Sequence, residues 1–121
     1  MVYEVRRSKE SELDLDLIFD HLVEVHVELG DLPRDAFAQA AARVRKIQDD
    51  IFAIGRIPHQ GTLSPELAPG LRHVTKDRAI IYFGVDDTRR LVSVIAVFFG
   101  GQDHHSHILR RLGVVEKHDT P

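Results

Sequence analysis

Two stretches of helical periodicity stand back to back near the start of this chain, and all but one of its strand-like runs come after them. In the first, Leu13, Leu17, Ile18, Leu22, Val25 and Leu29 recur at helical spacing opposite Asp14, Asp20, Glu24 and Glu28. In the second, Phe37, Ala40, Ala41, Val44, Ile47, Ile51 and Ile54 form the stripe. Stripes of this kind are what surface helices bury. Between them, Gly30 suits a left-handed helix end and Pro33 a first helical turn. A link of a few residues folds two helices into an antiparallel hairpin. Ser8 or Ser11 is the candidate N-cap of the first helix, with Glu10, Glu12 and Asp14 complementing its dipole, and Gly55 ends the second.

The strand-like runs are short and rich in β-branched and aromatic residues. Residues 2–7 alternate as a strand. Residues 56–70, with Pro58, Gly61, Pro65, Pro69 and Gly70, read as a loop long enough to be functional or mobile. Leu71–Val74, Ala79–Val85 and Leu91–Phe99 follow, separated by turns at Lys76-Asp77 and Asp86-Asp87-Thr88-Arg89. Gly100-Gly101 closes the last run, and Ile108, Leu109 and Leu112 mark a short helix from about Asp103. The order β-α-α-β-β-β-α has no βαβ alternation. It predicts an α+β fold: a helical hairpin on one face of a largely antiparallel four-stranded sheet, with a short C-terminal helix. The aliphatic last strand is expected in the centre of that sheet. A length of 121 residues fits one domain, assigned to residues 1–113, with 114–121 as a flexible tail.

Composition narrows the chemistry. The chain has no cysteine, so disulfides, thiolate metal sites and cysteine nucleophiles are excluded. No apolar run is long enough to span a bilayer as a helix, and Met1–Arg7 lacks the order of a signal peptide; a cytoplasmic, non-membrane protein is expected. The net charge of −3 speaks against strong non-specific nucleic-acid binding. Residues 1–55 carry 7 Lys/Arg against 12 Asp/Glu, a balance of −5, while residues 56–121 carry 9 against 7, a balance of +2. An anionic partner should prefer the second half.

Four strings resemble the RelE/ParE toxin superfamily: Tyr3-Glu4-Val5-Arg6-Arg7-Ser8, Leu67-Ala68-Pro69-Gly70-Leu71-Arg72, Arg78-Ala79-Ile80-Ile81-Tyr82-Phe83, and Val94-Ile95-Ala96-Val97-Phe98-Phe99-Gly100-Gly101-Gln102-Asp103. The resemblance runs from about residue 2 to Leu112. Its most specific parts are the Pro-Gly-Leu-Arg entry into one strand and the Gly-Gly-Gln-Asp exit from another. It implies the toxin of a type II toxin–antitoxin system, neutralised by a cognate antitoxin, and compatible with a homodimer or a toxin–antitoxin hetero-oligomer. RelE-like members cut messenger RNA on the ribosome, whereas ParE-like members inhibit DNA gyrase. The Pro-Gly-Leu-Arg segment resembles the plasmid-stabilisation, ParE-like side, which makes gyrase the suspected target. The alternatives are a ribosome-dependent mRNA endoribonuclease and a degenerate, inactive member.

Metal-independent RNA cleavage needs a base, cations for the phosphorane-like charge, and an acid. Nuclease members of the family place basic residues where Arg72 and Arg78 stand here, which makes the two candidates for one shared groove. The end of the last strand departs from the family pattern. Phe99 and Gln102 replace a proton-transferring residue and an arginine. His104, His105 and His107 lie close by and are the remaining acid–base candidates, with His104 and His107 one helical turn apart. The binding candidates are Arg72, Arg78, Phe99, Gln102 and Asp103. Each has a structural reading beside the functional one: arginines paired with carboxylates, Phe99 in a core or partner interface, Asp103 as a helix N-cap. No metal site and no cofactor are expected, because no acidic or thiol ligand set accompanies the histidines.

Overall fold

The computed structural model describes residues 2–100 and 104–113, of which 104–106 only as backbone. The expected tail and Gln102 and Asp103 lie outside the described residues, as does the side chain of His104. The elements are β1 (Glu4–Arg7), α1 (Lys9–Glu28), α2 (Pro33–Ala53), a 3-10 turn (Ile54–Arg56), β2 (Thr62–Leu63), β3 (Arg72–Lys76), β4 (Ala79–Asp86), β5 (Leu91–Phe99) and α3 (His104–Arg111). The class and order match the expectation. The sheet has five strands rather than four, in the order β1-β5-β4-β3-β2. The extra strand is the two-residue β2, which pairs Thr62 with His73 and Leu63 with Arg72. Two residues inside a proline- and glycine-rich loop carry too little periodicity to be read as a strand. β1 runs parallel to β5, and the remaining pairings are antiparallel. β5 is therefore interior, but β4 holds the centre.

Ser8 caps α1, its Oγ accepting from the Ser11 N–H at 3.1 Å, while the Ser11 hydroxyl donates back to the Ser8 carbonyl at 2.8 Å. Gly30, at φ +104°, turns the chain out of α1. The helical hairpin covers one face of the sheet. There Leu15, Ile18, Leu22, Ala40, Ile47, Ile51 and Ile54 pack against Ala79, Ile81, Phe83, Val92, Val94, Val97 and Phe99. The other face carries a second, smaller core of Leu71, Tyr82, Ala96 and Phe98 under Ile108 of α3. The stripe of α1 differs from the expected one: Leu15 is buried, whereas Leu13, Leu17 and Leu29 are exposed. Leu13, Leu15 and Leu17 alternate with Asp14 and Asp16, so two helical faces look equally apolar in sequence. The choice is made by Asp14, which is itself buried.

Asp14 is buried because β5 outlasts β1. Their pairing ends at Arg7 and Val94, and a bulge then sets Ile95 between the partners of Phe83 and Tyr82. Beyond that point β5 has no strand on this side, and buried backbone groups need partners. The Val97 N–H donates to the Asp14 carboxylate at 2.9 Å, and the Ile95 carbonyl accepts from Arg111 Nη1 at 2.8 Å. Arg111 in turn grips Asp14 through both terminal nitrogens, at 3.0 and 2.9 Å. One ion pair thus finishes a strand edge and fastens α3 to α1. The carboxylate also keeps the Arg111 pKa above its ordinary value.

Candidate functional site

The carboxyl end of β5 gathers the strongest candidate. The β3–β4 hairpin turns on Asp77 and Arg78, both at positive φ, 47° and 74°. A two-residue turn with that geometry ordinarily takes Asn-Gly, because side chains resist positive φ. Here it projects the Arg78 guanidinium to 5.6 Å from the centre of the Phe99 ring. From α2, the Arg43 guanidinium reaches the same ring at 5.3 Å. Arg43 also donates to the Asp77 carbonyl, and its Nε is buried with no acceptor among the described residues. Lys46, one turn on, pairs with both Asp50 and Asp77, at 3.0 and 3.4 Å. Those contacts raise the Lys46 pKa, the Asp50 hydrogen bond most. They also occupy the only two carboxylates that these contacts bring to the turn, so neither arginine has an ion-pair partner among the described residues.

Phe99 also lines a cleft of about 280 Å³ between α1, β5 and α3. Leu17, Ile18, Val97 and Phe98 supply its apolar lining, and His21, His107 and the Asp14–Arg111 pair its polar one. Of the expected site residues, Arg78, Phe99 and His107 therefore come together. His107 is held by a tilted ring contact with Phe98 at 5.6 Å.

Arg72 does not join them. It opens β3, whereas Arg78 follows the end of that strand. The Arg72 guanidinium donates to the His59 carbonyl at 2.8 Å and stands near Asp87. Asp87 Oδ1 accepts from the Tyr3 hydroxyl at 2.7 Å and meets His59 Nε2 at 2.8 Å. This network straps the loop after the 3-10 turn across the far end of the sheet. The Tyr3 hydrogen bond, then His59 and Arg72, hold the Asp87 pKa below the ordinary carboxylate value, and the same bond raises that of Tyr3. A depressed carboxylate pKa stabilises the fold above the unfolded value, near 4, and that contribution fades as pH falls through the folded one. Asp87→Asn should therefore lower the melting temperature at pH 7, and the gap from the parent should shrink at pH 3. An unchanged gap in thermal melts would show that the charge of Asp87 does not matter.

Arg43, Asp14, Arg111, His59 and His73 escaped the sequence reading. Arg43 and Asp14 did leave a signal. Arg43 stands three after Ala40 and four before Ile47, and Asp14 three after Ser11 and four before Ile18, so both interrupt stripes that are otherwise buried. His73 left none; it meets the buried Ser64 at 2.8 Å and tilts over Tyr82. Among the described residues no group of histidines and carboxylates could hold a metal, and no helix is long and apolar enough to cross a membrane.

No protein-family model matches this sequence, and no curated protein does. Solved structures do. One is a chain of the toxin–antitoxin complex RelBE2 from Mycobacterium tuberculosis, with a TM-score of 0.58 at 18% identity over 84% of this chain and 95% of that one. Another belongs to the chromosomal ParDE toxin–antitoxin system of P. aeruginosa, with a TM-score of 0.60 at 20% identity over 81% and 96%. The chain therefore has the fold of chains found in RelBE and ParDE toxin–antitoxin complexes, the fold that its resemblance to the RelE/ParE superfamily leads one to expect.

Proposed function

We propose that this chain is the toxin of a type II toxin–antitoxin pair, acting in the cytoplasm through residues 1–113 and neutralised by a cognate antitoxin. The fold shared with chains of two such complexes supports this. Within it we favour the ParE-like mode, inhibition of DNA gyrase by protein contact, over cleavage of messenger RNA. The observation that carries this choice is the separation of Arg72 from Arg78. A nuclease would aim both at one phosphate, and here Arg72 is bonded to a carbonyl at the other end of β3. The formal charge of −3 points the same way, since docking on ribosomal RNA draws on phosphate neutralisation.

The test is induced expression in a bacterium with pulse-labelling of DNA and protein synthesis over the first minutes. DNA synthesis should fall first, with DNA-damage signalling. Early loss of protein synthesis with cut messenger RNA would replace this reading by the nuclease one. Arg43, Arg78 and His107 would then be the residues to substitute, because His107 lines the Phe99 cleft. Unimpaired growth would mark an inactive member.

A further inference from the structure

The Arg43–Phe99–Arg78 rim and the cleft behind it have properties that the fold itself does not need. Two guanidiniums converge on one ring without an intervening carboxylate among the described residues, which like charges do only at a cost. Arg78 reaches its place from a positive φ of 74°, in a turn that glycine would make without strain. The Nε of Arg43 is a buried donor with no acceptor among the described residues, which fixes the arginine against the turn rather than in solvent. Backbone strain and like-charge convergence at a single exposed rim are features that binding surfaces collect.

From these features we infer that the rim and cleft together dock an acidic–apolar peptide segment of a protein partner: an Asp or Glu side chain on Arg43 and Arg78, and an apolar side chain in the cleft. This rests on the reading of the chain as a toxin held by a protein partner, and names what that partner presents. Paired guanidinium forks match a carboxylate in geometry as well as in charge. Phe99 is the shared wall, so the two subsites adjoin. At the lip of the cleft, Leu17 is 68% exposed, an unusual exposure for a leucine facing an apolar cavity. A nucleic-acid strand fits less well. The ring that would stack a base already carries two guanidiniums, and the neighbouring α1 presents Glu10, Asp16, Asp20 and Glu24 to solvent, which repels a polyanion.

The experiment is selection of a random-peptide display library on the folded, immobilised full chain. Binders are then measured against the parent, Arg43→Gln, Arg78→Gln, Arg78→Lys and Leu17→Ser, each checked by thermal melt. Enriched peptides should carry Asp or Glu close to a large apolar residue. They should bind Arg78→Gln roughly tenfold more weakly. Arg78→Lys, which keeps the charge but not the fork, should recover only part of that, and Leu17→Ser should weaken binding on its own. Enriched peptides without an acidic residue would overturn the inference. So would undiminished binding to both glutamine variants, no enrichment at all, or tighter binding of a single-stranded RNA oligonucleotide at the same arginines. Growth arrest on induction is scored separately and reports on the toxin reading, so either idea can fail alone.

Discussion

Replacing Asp14 by alanine should cost about 3–5 kcal/mol of folding stability, the usual penalty for removing one partner of a buried ion pair. The carboxylate is 9% exposed and Arg111 22%. Without Asp14, Arg111 keeps the Ile95 carbonyl and the more distant charge of Glu10, and the Val97 N–H loses its acceptor in the interior. Such a loss is a large part of the ~5–15 kcal/mol that a domain of this size ordinarily has. Urea denaturation would measure it as a lowered midpoint at constant slope. Asp14→Asn keeps an oxygen for Val97 but not the charge, and should fall between the two. The decisive comparison is the pair replacement. Asp14→Leu combined with Arg111→Met leaves no unpaired charge, so it should be less destabilising than the sum of its single changes. Additive losses would mean that Asp14 acts through Val97 alone. Since the pair is also the fastening of α3, hydrogen exchange in residues 107–112 should quicken in Asp14→Ala before the sheet responds.

This ion pair also shows where sequence reading stops. The class of the fold, the hairpin and the interior position of β5 follow from local signals: periodicity, caps, and Gly, Pro and Asp placement. The two turns do as well, each standing one residue later than expected, at Asp77-Arg78 and at residues 87–90. Those signals act over a few residues and survive reading one residue at a time. Asp14 and Arg111 stand 97 residues apart and meet only because β5 is longer than β1. Asp14 in sequence resembles any first-turn carboxylate serving a helix dipole, and the structure gives it a different task. The arginines repeat the point. Arg72 and Arg78 look equivalent, each at the edge of a strand-like run. Yet β3 between them is short and its turn type is set by two positive φ angles, which sends them to opposite ends of the sheet. Arg43, which shares the Phe99 ring with Arg78, comes from a helix more than thirty residues earlier, and its trace in the sequence is a charge inside an apolar stripe.

A methyl group at Gly55 should be nearly as damaging as the loss of Asp14, although it removes no interaction by itself. Its φ is not of the left-handed kind, so the effect is one of space. A Cβ there would stand 2.4 Å from the Tyr3 carbonyl oxygen and 2.9 Å from Val5 Cγ2. The first of these is backbone and cannot rotate away. Tyr3 is also the residue whose N–H donates to the Gly55 carbonyl at 2.8 Å, and β1 beyond it is registered on β5 from Glu4 against Leu91. The strand therefore cannot retreat without giving up that hydrogen bond and straining its parallel pairing. Overpacking of this sort costs about 1–3 kcal/mol and a lost internal hydrogen bond about 1 more, so Gly55→Ala should lose about 2–4 kcal/mol. Gly84→Ala is the matched control. A Cβ at Gly84 meets nothing within 4 Å, and glycine inside a strand is itself unfavourable, so that variant should be neutral or slightly stabilised. Equal melting temperatures for the two variants would mean that the turn after α2 yields easily. A large gap, with faster exchange at the Tyr3 amide in Gly55→Ala, would mean that β1 is held as firmly by the close approach of this one turn as by its pairing to β5.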